Sequence, residues 1–218
     1  MADFPARLLF RTVVSVPYMP VSPHINGDLA DWKGVRPLPH LCEIEDQPPV
    51  GEVYVGWNED ALYVACRVEK AKSVVSNRKR PEAGDGLQII IDTRGVQTVH
   101  RATRFGHLFV LLPTGGGPGR DQPIAWQAEI PQARESAKLC QPEEIPIVAT
   151  TDVSQGYYTI EAAFPGAILT GYEPTAGMRI GFQYWLHDVQ RGQETYTVPL
   201  DLQAMQDPSL WGLLELVK

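Results

Sequence analysis

Between Val53 and Val68 two runs of alternating residues flank one polar break. Val53, Val55 and Trp57 give the first run an apolar face; Leu62, Val64, Cys66 and Val68 do so for the second, with Asn58-Glu59-Asp60 between them. Alternation of period two sends every second side chain to the same side of an extended backbone, so this stretch predicts a hairpin with one buried face. Similar runs recur over residues 8–16, 86–92, 105–112, 124–130, 145–151, 157–164, 178–187, 194–199 and 211–217. Together they make about eleven strands at the spacing of an all-β sandwich. Helical signals are few: a single turn capped by Asp28, a turn opening at Pro165, and a short helix over 132–139. None alternates with strands as a parallel α/β sheet requires.

The 218 residues include 19 Gly and 19 Pro, which suits a turn-rich fold, and no run splits them into two units. The glycine-rich stretch from Thr114 to Arg120 has strands on both sides, so it reads as a mobile loop inside one domain spanning 1–218. It lacks the Lys-Ser/Thr and the helix start of a phosphate loop, and Pro118 removes a backbone N–H. A net charge of −7 argues against nucleic acid as a partner. No apolar run is long enough for a membrane-spanning helix, so no membrane partner is expected. Without a secretory signal the default location is cytoplasmic; a removed leader would make the chain secreted or periplasmic. Cys42, Cys66 and Cys140 are odd in number and widely spaced, and Cys66 reads as a small buried hydrophobe.

Catalytic and metal-binding patterns are sparse. His24, His40, His100, His107 and His187 show no helical zinc spacing, and no Gly-x-Ser-x-Gly elbow occurs. Glu129, Glu135, Glu161 and Asp188 could supply a glycosidase pair only if the fold brought two of them together. The informative strand is 178–188. Ile180, Phe182, Tyr184 and Leu186 form its core face; Gln183, Trp185 and His187 form the other. Trp185 either packs under a loop or serves as a sugar platform, its ring stacked on pyranose C–H groups while the amide and imidazole bond hydroxyls. Trp126 carries the same two readings. Arg101 and Arg104, in the cation-rich stretch 100–107, belong either to an edge strand with solvated charges or to a site for an acidic sugar carboxylate.

Several segments taken in order resemble family 9 carbohydrate-binding modules. Residues 25–32 (INGDLADW) resemble the family's opening Asp-Gly…Trp signature, and 53–68 (VYVGWNEDALYVACRV) its hairpin. Residues 84–92 (GDGLQIIID) are similar to its "DsvEifiD" strand, 158–165 (YTIEAAFP) to "y-x-vEaaIP", 177–188 to its late strand ending in Asp, and 210–212 to its closing Trp-Gly. The matches cover about 24–216. The resemblance implies a jelly-roll-type β-sandwich of antiparallel strands, a mono- or oligosaccharide as ligand, calcium in some members, and a non-catalytic role in polysaccharide or glycoside breakdown. It carries Trp185 over as a platform and leaves out the aromatic before Asp85, where Arg80-Pro81-Glu82-Ala83-Gly84 stands, so a second ring must come from Trp126. The ligand set expected is Trp185, Trp126, Gln183, His187, Arg104 and Arg101, the two tryptophans lining one open groove. Three rivals stay open: a haem-binding sandwich using Met178 and His187, a glycosidase, and an interaction domain that has lost the sugar site.

Overall fold

A computed structural model describes residues 5–70, 72–152 and 154–218. Among the described residues eleven strands form two sheets: β1 (Val13–Pro17), β2 (Glu52–Trp57), β3 (Ala61–Glu69), β4 (Gly86–Asp92), β5 (Gly106–Gly116), β6 (Gln122–Ala128), β7 (Ile147–Asp152), β8 (Tyr157–Pro165), β9 (Arg179–Asp188), β10 (Gly192–Thr195) and β11 (Gly212–Val217). The larger sheet runs β1-β11-β9-β4-β5-β6, with β10 also paired to β9; the smaller runs β2-β3-β8-β7. Every pairing is antiparallel except β1 with β11, which is parallel. No helix among the described residues is long and apolar enough to cross a membrane.

The alternation seen in sequence fixes which side each strand buries. Val53, Val55 and Trp57 of β2, with Leu62, Val64, Cys66 and Val68 of β3, meet Leu87, Ile89 and Ile91 of β4 and Ile180, Phe182, Tyr184 and Leu186 of β9 in one hydrophobic core. Trp57 is fully buried and donates its Nε1–H to the Val16 carbonyl at 3.1 Å. All three cysteines are free, and burial pushes the Cys66 thiol far up from its ordinary value.

Three local expectations change. The glycine run is mostly strand: Gly115 and Gly116 extend β5, and only 117–121 form the hairpin tip, closed by Gly115 N–H on the Arg120 carbonyl. Residues 132–139 form no helix, because Arg134 N–H bonds the Ala102 carbonyl and Arg101 takes the Gln132 and Ala133 carbonyls. The cation-rich stretch is a loop between β4 and β5 as far as Phe105, and its last two residues, Gly106 and His107, open the interior strand β5 and not an edge strand. Asp28 does cap a turn, a 3-10 turn over Leu29–Trp32, through the Ala30 N–H.

The opening signature has a structural role. Trp32 packs with Met19, Tyr63, Ala65 and Ala163 on the outer face of the smaller sheet. Glu161, fully buried, accepts hydrogen bonds from Asn26 N–H, Gly27 N–H and Trp32 Nε1–H, at 3.0, 3.0 and 2.8 Å. This carboxylate holds the 25–32 segment in place, so that motif and the Glu of YTIEAAFP are two halves of one clamp.

Candidate functional site

Because β9 buries its even-numbered residues, Gln183, Trp185 and His187 face outward from the larger sheet. Register carries that side across the neighbouring strands. Trp185 is paired with Thr195 of β10 and Gln88 of β4, Gln88 with Val110 of β5, and Val110 with Trp126 of β6. The two tryptophans thus stand on one face and in one row, with Val110 and Gln88 between them. Three strand spacings separate their backbones, roughly 14 Å.

Trp126, Gln88 and Trp185 are half-buried, whereas Val110 is buried. The Trp185 Nε1 atom is shielded from solvent and has no protein acceptor among the described residues. Since Nε1 is the only polar atom of this side chain, what Trp185 offers to solvent is ring carbon. Such a surface can take the C–H face of a sugar ring. Gln88 had escaped notice in sequence; its signal was an amide at an outward position between Gly86 and Ile90.

The other expected residues are placed differently. Gln183 is fully buried: its Nε2 donates to Thr197 Oγ1 at 2.7 Å, and its Oε1 accepts from the backbone N–H groups of Tyr184, Tyr196 and Thr197. That amide ties the 195–197 segment to the sheet and is not presented to a ligand. His187 is 2% exposed, in edge contact with the Trp185 ring at 5.6 Å, and donates from Nδ1 to the Gly84 carbonyl at 2.8 Å. Burial holds its pKa below the ordinary value, so it is neutral near pH 7. The segment that lacks the family's aromatic therefore closes over His187 instead.

Arg101 and Arg104 are not brought to the tryptophan row. Arg101 Nε donates to the Gln132 carbonyl at 2.8 Å, and Arg104 lies 5.2 Å from the Phe105 ring. Between that loop and the row sits a second apolar cluster, in which Trp211, Ile90, Ala102, Leu108 and Ile130 cover the other half of the same outer face. The expected shared site of arginines and tryptophans does not form.

The rival chemistries meet geometric obstacles. Met178 and His187 are nine residues apart along extended chain, roughly 30 Å, too far to ligate one haem. Glu161 is engaged on the smaller sheet, and Asp188, on the larger, is bonded to Lys70 at 2.9 Å, so neither is free to act as acid or base. A groove of about 620 Å³ on the smaller sheet is lined by Asn26, Asp28, Lys33, Arg67 and Tyr157. Arg67 covers one face of the Tyr157 ring there, 4.5 Å from its centre.

No family model matches the chain, and a search of curated proteins finds no significant match. Solved structures do match. A family 9 carbohydrate-binding module from Caldicellulosiruptor kristjanssonii in complex with cellotriose superposes with a TM-score of 0.65 at 17% identity, over 94% of this chain and 93% of that one. A family 9 module from the same organism in complex with glucose gives 0.65 at 16% identity, over 94% and 95%. The fold is that of family 9 carbohydrate-binding modules.

Proposed function

We propose that this chain is a non-catalytic carbohydrate-binding domain whose ligand lies on the outer face of the larger sheet, across Trp126, Val110, Gln88 and Trp185. One observation carries the reading: two half-buried indoles share a cross-strand row on that face, with the half-buried Gln88 between them. Trp185 and Trp126 supply stacking surfaces and Gln88 bonds hydroxyls from the floor between them. The ligand class is a neutral mono- or oligosaccharide, since neither Arg101 nor Arg104 reaches the row. A role within polysaccharide or glycoside breakdown follows from the same reading, the domain holding a partner enzyme near its substrate.

Support comes from the shared fold with modules solved in complex with cellotriose and glucose. Isothermal titration with glucose, cellotriose and a uronic acid, followed in parallel by tryptophan fluorescence, tests it. Saturable heat and an altered emission with a neutral sugar are expected. Absence of both with every sugar would leave the interaction-domain reading in its place.

A further inference from the structure

The core-facing series of three strands ends in charges. On β3 the inward set Leu62, Val64, Cys66 and Val68 continues to Lys70. On β4, Leu87, Ile89 and Ile91 are preceded by Asp85; on β9, Ile180 through Leu186 are followed by Asp188. The β4–β9 register, in which Gly86 pairs with His187, makes Asp85 and Asp188 the next opposed positions. Lys70 Nζ lies 2.9 Å from an oxygen of each, with side-chain exposures of 1%, 0% and 0%. Backbone N–H groups complete the set: Val75 and Val189 donate to Asp85, Gln190 and Arg191 to Asp188.

Two carboxylates opposed across a strand pair repel, and buried charge without a partner is untenable. A cation has to stand between them. Calcium, which the family resemblance implies, does not fit there: it takes roughly six to eight oxygens. Only two carboxylates converge here, and no group of three or more His, Cys, Asp or Glu suited to a metal ion exists among the described residues. The space between the carboxylates belongs to an ammonium group.

We infer that Lys70 is the resident cation of this fold, an internal ammonium joining β3 to β4 and β9 where no divalent ion is required. The same bonds tie together the ends of the strands that carry Gln88 and Trp185. The cation claim itself does not depend on the sugar reading, and no sugar enters its test.

Thermal unfolding of the full chain is measured in EDTA and in millimolar calcium. The expected result is one unfolding temperature in both. A rise of about 5 °C or more with calcium, as a saturating ligand would give, and its loss in Asp85→Asn, would overturn the inference. Lys70→Met is expected to lower the unfolding temperature by about 10 °C or more, because it strands two buried charges. The triple variant Lys70→Met, Asp85→Asn, Asp188→Asn is expected to recover most of that loss. A Lys70→Met protein as stable as the parent would equally overturn it.

Discussion

Trp185 and Trp211 stand on the same outer face of the same sheet, yet their fates differ. Trp211 is 2% exposed, packed on Ile90 and Leu108, with its Nε1–H donated to the Ala204 carbonyl at 2.8 Å. Trp185 is half-buried and its Nε1–H meets no acceptor among the described residues. The loops before β11 and after β4 close one half of the face into a second small core, while in the other half Trp185, Gln88 and Trp126 keep partial exposure. An indole that is fully packed and bonded has a structural role; one that keeps part of its ring carbon exposed is available to a ligand.

The largest expected effect breaks the closed half. Trp211→Ala removes a buried aromatic and strands the groups around it, which costs about 3–5 kcal/mol; urea unfolding checks this. If Trp185→Ala cost as much, the contrast between the two halves would be false.

Acid tests the buried imidazoles next. Burial lowers the pKa of His107 from 6.5 to about 4, and burial also lowers that of His187 beside Trp185. In each case the unfolded chain binds the proton first. Their contribution is complete above the unfolded value and is lost as pH falls toward the folded one, on the order of 3 kcal/mol for His107. His40 has the opposite sign. Its hydrogen bond with Glu194 raises its pKa, so its contribution holds below 6.5 and fades as pH rises through the folded value. Unfolding temperatures across this range should fall on the acid side, and a His107→Gln variant should flatten that fall.

Gln88→Ala probes the floor between the two indoles. Removing one neutral hydrogen-bonding group should weaken neutral-sugar binding by about 1 kcal/mol and leave unfolding nearly unchanged. An unchanged affinity would move the hydroxyl contacts elsewhere.

Much of this architecture was legible from alternation alone. Residues 211–217 read as a strand and 212–217 are β11, whose burial alternates residue by residue, because a one-residue slip would turn its apolar face outward. The parallel pairing of β1 with β11 was not legible, since alternation gives a strand's faces but not its direction or partner. In the site, Trp185 and Trp126 were visible as outward aromatics. Gln183 looked equally outward, and its bonds to Tyr196 and Thr197, which no local pattern announces, take its amide out of reach of a ligand. Which half of the face is packed into the second small core depends on long-range loop contacts that no local pattern records. Lys70 was readable in principle, as a lysine continuing the inward series after Val68, but its two aspartates come from separate strands.

The most direct measurement is the titration of cellotriose into the parent protein and into Trp185→Ala under identical conditions. The account predicts saturable binding by the parent and a loss of at least about 2 kcal/mol, near thirtyfold, in the variant, with unfolding little changed. Equal affinity in the two proteins would contradict it.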